Sequence, residues 1–223
     1  HYFAKNETLM AIGNGYMGIR GSHQEDYLEQ TRGHFIAGIY NNAGRNEVSE
    51  LVNCPNVVGW QIQLGTEKFD LLVGEIKAYE RYLDMESGEL VRNITWESPT
   101  GLSYDLEFRR FCSLDNIHLI GESVTIIAHQ QTTIVCTTGI DGQQTNTGVH
   151  HFFEEEKRVF EEKYMQASYA TTESEVEVIV STVVTASNNQ SVFFSNRRQL
   201  LVEKTNALAP FTPYTFEKIT LLY

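Results

Sequence analysis

Glycines at positions 13, 15 and 18 of the 223-residue chain spell G-x-G-x-x-G. That spacing cradles a dinucleotide pyrophosphate when a strand leads in and a helix opens directly after it. Here Ile19-Arg20-Gly21-Ser22 follows, with glycine and serine where a helix would gain its second turn, so the context for nucleotide binding is missing. Glycine also serves where the backbone turns with positive φ or where another group comes close. Gly13, Gly15, Gly18 and Gly21 then describe a compact, bent ribbon. Arg20 inside it must pair if it is buried. It would brace a neighbouring loop through a carboxylate or carbonyls, or meet a second domain or an anionic ligand, and bracing is the expectation. Gly13, Asn14, Gly15, Tyr16, Gly18, Arg20 and Gly21 are therefore the candidate site, a structural or interface motif with no catalytic residue assigned.

Other chemistry finds little support. The chain has neither a G-x-S-x-G elbow nor H-E-x-x-H. His150 and His151 are adjacent, and strand neighbours point to opposite faces, so they make a poor chelate. His34, beside Phe35 and Ile36, reads as a structural strand residue, and no metal site is expected. Glycosidic chemistry needs two placed carboxylates, or one acid plus an external nucleophile, and 29 acidic residues offer no basis for choosing them. Glu154-Glu155-Glu156 reads as a solvated face, and Trp60 and Trp96 as core or rim residues before sugar platforms. Cys54, Cys112 and Cys136 form no C-x-x-C and suggest buried thiols in a reducing, cytoplasmic setting. Sequons at Asn6, Asn93 and Asn189 are little more than this composition yields by chance.

The elements that must position these residues are strands. With 41% hydrophobic and 11% aromatic residues, the chain can build one large core. The net charge of −12 excludes nucleic acid and an anionic membrane surface as expected partners. No transmembrane run or signal peptide is visible, and the start at His1 suggests a piece of a longer protein. Trp60, Ile62 and Leu64 alternate with Gln61 and Gln63, the period of a half-buried strand. A hairpin into residues 69–73 should follow, then strands near 76–83, 90–97, 102–111, 117–128 and 132–138. Arg109-Arg110 interrupts the alternation of Tyr104, Leu106 and Phe108, which predicts a β-bulge. Residues 22–32 read as a polar surface loop, and 150–162 alone have helical leanings. Strands return at 164–172, 176–185, 191–194, 200–202 and 215–223. If the last lies at a sheet edge, it is a liability for self-association. More than ten short strands without a long helix predict an antiparallel all-β fold, two large sheets packed face to face.

Several ordered motifs resemble one family. Leu9-x-x-Ile12-Gly13-Asn14-Gly15-Tyr16-Met17-Gly18-Ile19-Arg20-Gly21 is similar to the opening signature of glycoside hydrolase family 65, which includes maltose, trehalose and kojibiose phosphorylases. Phe35-Ile36-Ala37-Gly38-Ile39-Tyr40, Glu50-Leu51-Val52-Asn53-Cys54-Pro55-Asn56, Arg81-x-Leu83-Asp84-Met85-x-x-Gly88-x-Leu90-x-Arg92 and Phe216-Glu217-Lys218 agree in order.

The resemblance implies that residues 1–223 form the family's N-terminal domain, a large antiparallel two-sheet β-sandwich of the supersandwich, galactose mutarotase-like kind. It implies an (α/α)6 catalytic barrel elsewhere in the parent enzyme, a disaccharide phosphorylase or hydrolase; the barrel bears the catalytic glutamic acid and, where phosphate and not water is the acceptor, the phosphate-binding residues of an inverting phosphorolysis. Nothing in this chain corresponds to that barrel, so the chain alone is expected to be inactive. No cofactor is implied; inorganic phosphate is the parent's co-substrate. The implied partners are the catalytic domain, a maltose-, trehalose- or kojibiose-type disaccharide and a second copy in a homodimer. The alternative is a free-standing, lectin-like carbohydrate-binding sandwich. A mutarotase-like enzyme is a third reading, and it would need a His and Glu pair in one groove.

Overall fold

The structure is a computed structural model that describes residues 3–42, 48–187 and 190–223. A short helix, α1 (Phe3–Leu9), precedes β1 (Ile12–Gly13), β2 (Met17–Ile19), β3 (His34–Ile36), β4 (Tyr40–Asn41) and β5 (Glu50–Leu51). The middle of the chain supplies β6 (Trp60–Leu64), β7 (Glu67–Lys68), β8 (Glu75–Asp84), β9 (Glu89–Glu97), β10 (Ser103–Cys112), β11 (Leu119–Ala128) and β12 (Thr132–Asp141). The last third gives β13 (Phe152–Phe160), β14 (Tyr164–Thr171), β15 (Glu177–Thr185), β16 (Val192–Asn196), β17 (Gln199–Leu208) and β18 (Tyr214–Leu222).

Eight strands form one sheet in the order β13-β14-β15-β18-β11-β10-β9-β8, and five form a second, β16-β17-β12-β6-β7. A three-stranded sheet β1-β2-β3 and the pair β4-β5 complete the sheets among the described residues. Pairing in both large sheets is antiparallel, as in β10 against β11 and β12 against β17. The large sheets meet where β12 and β17 pass over β14 and β15. Alternate residues turn inward, so β10 buries Tyr104, Leu106 and Phe108 while Asp105, Glu107 and Arg109 face out. In the core, Trp60 of β6 lies 6.3 Å from Phe216, and Phe69 sits edge-on to Trp96 at 5.4 Å. Each such fully buried side chain contributes about 1.5–3 kcal/mol through the hydrophobic effect.

At about 4.8 Å per strand the eight-stranded sheet is about 34 Å wide and the five-stranded one about 19 Å. The smaller sheet therefore leaves part of the larger one's inner face without a partner. The β1–β3 end of the molecule, touching β10, covers some of it, while β8 stays exposed along most of its length.

Five expectations from the sequence are corrected. Residues 150–162 are not helical: Phe152–Phe160 is strand β13, whose pairing with β14 overrides local preference. It is an edge strand, and its charges suit an edge that must not recruit another chain. No bulge occurs at Arg109-Arg110. The register of β10 on β11 runs unbroken, and the irregularities fall at Ile76/Ala78 and Glu154/Glu156. β18 is interior, bonded to β11 and β15, so both its edges are satisfied. The surface loop expected at 22–32 begins as a buried strap, with Ser22, His23, Gln24 and Glu25 at most 5% exposed. The hairpin after β6 is also shorter than expected, since β7 ends at Lys68.

Candidate functional site

The glycine ribbon is the β1–β2 hairpin and its continuation. Asn14 holds its turn: Oδ1 accepts the N–H groups of Tyr16 (3.1 Å) and Met17 (3.0 Å). Its amide nitrogen donates to the carbonyls of Ser113 (2.7 Å) and Ile117 (2.9 Å), which ties the ribbon to the β10–β11 connection. Gly15 has φ +87°, a conformation that favours glycine. At Gly21 the constraint is proximity, because a Cβ there would lie 2.8 Å from both the Arg81 guanidinium and the Met10 carbonyl. The Tyr16 ring meets His118 at 4.5 Å, and His118 stacks on Tyr223 at 4.3 Å, so ribbon and final strand share one end of the sandwich. Arg20 pairs with buried Glu7 of α1 (3.1 Å) and donates to the carbonyl of Thr31 (3.1 Å).

Beyond the ribbon, residues 20–25 cross the inner face of the large sheet, where every buried backbone group needs a partner. Three arginines of adjacent strands supply many of them. Arg110 of β10 donates to the carbonyls of Arg20 (3.0 Å) and Ser22 (2.8 Å). Arg81 of β8 donates to the Gly21 carbonyl. Arg92 of β9 grips the Glu25 carboxylate with both terminal nitrogens, one at 2.6 Å, and lies 4.2 Å above the Phe108 ring. From the other side, the Gln24 carbonyl accepts the Trp60 N–H (3.0 Å) and Arg32 (2.9 Å).

A second charged group continues across the sheet. Arg110, Glu122 and Lys218 are cross-strand neighbours on β10, β11 and β18. Lys218 pairs with Glu122 at 3.4 Å and donates to Thr138 Oγ1 (2.8 Å) and the Val57 carbonyl. Burial pushes the Glu122 carboxyl up, with Lys218 and Arg110 pulling it back. Burial lowers Lys218, opposed by Glu122. Arg110 falls to about 10, chiefly through burial. The ribbon residues were visible in the sequence as a motif, and Arg81, Arg92 and Lys218 as members of the family-like motifs, whereas Glu25, Arg110 and Glu122 belonged to none, and a buried role was expected for none of these six. Their signal was phase: Arg92 shares a face with Leu90, Ile94 and Trp96, and Arg110 with Phe108 and Leu106.

This arrangement is poorly suited to proton transfer. His23 lies between the Tyr79 hydroxyl (3.2 Å) and Glu25 (3.6 Å), which places a His and a Glu side by side near an open pocket. Burial, then Arg92, Arg81 and Arg110, lower His23 to about 2, whereas a general base works best near the operating pH. Glu25 is held by Arg92. Each buried carboxylate among the described residues, Glu7, Glu25 and Glu122, is committed to a cation. His34 is buried, its Nδ1 2.9 Å from the Pro55 carbonyl. His151 is buried between Asn41 (3.0 Å) and Glu50 (3.2 Å), while His150 faces outward. On the outer face His129 pairs with Asp105 at 2.8 Å; burial raises that carboxyl, but hydrogen bonds from His129 and Thr95 hold it below its usual range. Among the described residues, no three His, Cys, Asp or Glu side chains gather in a way that could hold a metal. Trp60 and Trp96 are fully buried in the core. The three thiols are buried and unpaired, Cys54 and Cys112 pushed to about 12 by burial. Asn189 lies outside the described residues.

The profile of the glycosyl hydrolase family 65 N-terminal domain matches residues 2–223. The chain belongs to family 65. It is 44% identical over 179 residues to a kojibiose phosphorylase of Escherichia coli K12, covering 80% of this chain and 23% of that protein. A kojibiose phosphorylase of Halothermothrix orenii is 43% identical over 76% of this chain and 22% of its own length. An α,α-trehalose phosphorylase of Thermoanaerobacter brockii is 33% identical over 64% of this chain. The family 65 chain thus spans less than a quarter of the length of these two kojibiose phosphorylases. A solved structure assigned to a kojibiose phosphorylase from the human microbiome superimposes with a TM-score of 0.87 over 98% of this chain and 30% of that one, at 16% identity, which supports the sandwich fold. Among the described residues no helix is long and apolar enough to cross a membrane.

Proposed function

We propose that this chain is the non-catalytic N-terminal β-sandwich domain of a disaccharide phosphorylase. The observation that carries this reading is the commitment of all three described buried carboxylates to arginine or lysine, beside a histidine too weakly basic to move protons. The catalytic acid and the phosphate site then belong to the barrel of the parent enzyme. There the acid protonates the leaving oxygen while inorganic phosphate attacks the anomeric carbon with inversion. Two kojibiose phosphorylases above 40% identity favour a kojibiose-type substrate over trehalose- or maltose-type ones.

The domain's part is to support folding and homodimer assembly and to shape the rim of the cleft. The ribbon supports the rim role, because Tyr16, edge-on to His118, and Tyr223, stacked on it, form one aromatic cluster at the end where the final strand finishes. Unpaired buried thiols are consistent with a reducing, cytoplasmic setting. Purified chain incubated with kojibiose, trehalose or maltose and inorganic phosphate should release no glucose 1-phosphate. Turnover that survives repurification would overturn the reading.

A further inference from the structure

The inner face of the large sheet has an unfinished end at β8. Its inward residues Ile76 and Tyr79 oppose the buried Trp96 and Ile94 of β9, yet remain 41% and 43% exposed. An open pocket of about 440 Å³ lies there, with Met10, Tyr27, Leu71 and Ile76 in its wall and Arg81 beside them. Leu72, in the turn leading to β8, is 51% exposed.

The charge at this end is also unbalanced. The strap and the row beside it gather five cations, Arg20, Arg81, Arg92, Arg110 and Lys218, against the carboxylates of Glu7, Glu25 and Glu122. His23 is neutral and adds nothing. Glu7, Glu25 and Glu122 each have a cation of their own. Among the described residues no carboxylate forms an ion pair with Arg81, although the whole chain carries −12. A partly buried guanidinium whose close partners are the Gly21 carbonyl and the Tyr79 hydroxyl, with Glu7 attracting it but not in ion-pair contact, favours an anion arriving from outside.

We propose that this pocket receives a carboxylate-bearing, otherwise apolar segment of the parent protein from beyond residue 223, with Arg81 as the partner of the carboxylate. The proposal rests on the reading of this chain as one domain of a longer enzyme. Three observations select a polypeptide as the occupant. The relatives are more than four times as long as the matched segment. The rim is apolar, and a small anion would leave Leu72, Ile76 and Tyr79 wet. The distance is also reachable: Tyr223 lies four strands across and about seven residues along the sheet from the row of Arg81. At about 4.8 Å per strand and 3.3 Å per residue, that is a span of roughly 30 Å, about ten extended residues.

The test uses the full-length protein with the photoreactive residue p-benzoylphenylalanine incorporated at Leu72. Irradiation and mass spectrometry should find an intramolecular crosslink to a segment beyond position 223 that contains Asp or Glu. Arg81→Glu should lower its yield at least fivefold, and reversing the charge of the partner acid should restore it. Crosslinks between copies only, or to no polypeptide while the same protein folds and turns over disaccharide, would overturn the proposal. So would inorganic phosphate that raises the melting temperature of the isolated chain but not of its Arg81→Gln variant, since that marks a small-anion site. A gene with no barrel after Tyr223 would instead defeat the underlying reading.

Discussion

Removing one partner of the Glu25–Arg92 pair should be among the most damaging single changes in this domain. The side chains are 1% and 3% exposed and joined through both oxygens. Without Glu25, Arg92 would remain buried opposite Arg81, its cross-strand neighbour of like charge. Breaking a buried pair on one side typically costs about 3–5 kcal/mol, whereas replacing both partners by apolar residues of similar volume is often near neutral. Glu25→Leu and Arg92→Met should therefore each cost about 4 kcal/mol, and the double variant about 1 kcal/mol. The interaction energy of the cycle would be about 7 kcal/mol by that arithmetic, and anything above roughly 3 kcal/mol supports the account. Urea unfolding followed by tryptophan fluorescence is the assay, since Trp60 and Trp96 are buried. With a slope of about 2.5 kcal/mol/M, each single change should shift the midpoint by about 1.6 M. Single changes below about 1 kcal/mol, or a double variant as damaged as the sum, would refute the reasoning.

Glycine substitutions should separate the ribbon's positions: Gly15→Ala, at φ +87°, should cost about 1 kcal/mol, while Gly18→Ala, with open space around its Cβ, should be nearly silent in the same urea assay. Acid should weaken the fold through His23, whose folded pKa of about 2 lies below the ordinary 6.5. Its contribution is fully present above pH 6.5 and is lost as the pH falls toward 2, about 2 kcal/mol by pH 5. The stability difference between wild type and His23→Gln should therefore shrink by about 2 kcal/mol from pH 7.5 to 5, with His34, lowered by burial, leaving a residual slope in both proteins. At the β13–β14 hairpin, Glu161 and Glu162 hold φ of 53° and 49° where Asn-Gly is the favoured pair. Glu161→Asn with Glu162→Gly should raise stability by about 1 kcal/mol, read as a higher melting temperature.

Period-two alternation made the long strands legible, because residues such as Trp60, Ile62 and Leu64 or Tyr104, Leu106 and Phe108 bury one face each. The same rule carried information that charge obscured. Arg110 continues the phase of Phe108, and Lys218 that of Phe216, so both point inward with the apolar residues. An inward arginine looks like a break in the pattern until its acceptors are known, and those are the carbonyls of Arg20 and Ser22, about 90 residues away in the chain. For the same reason residues 22–25 looked like a surface loop: a polar segment is buried only if distant groups satisfy it, and local sequence does not contain them. The β13 error has a different source. A glutamate-rich segment has helical leanings by itself, and only its pairing with β14 makes it a strand. Strand order too depends on long-range pairing, which is why the last strand in sequence proves to be an interior one.

The claim that this chain serves architecture, and that chemistry resides in the remainder of its enzyme, is tested most directly by reconstitution. The chain and the separately produced remainder of the full-length protein should be assayed alone and mixed, following glucose 1-phosphate release from kojibiose with inorganic phosphate. The account predicts no turnover by the chain, weak or no turnover by the remainder, and recovery in the mixture. Turnover by the chain alone, or a remainder as active and as thermally stable as the intact enzyme, would contradict it.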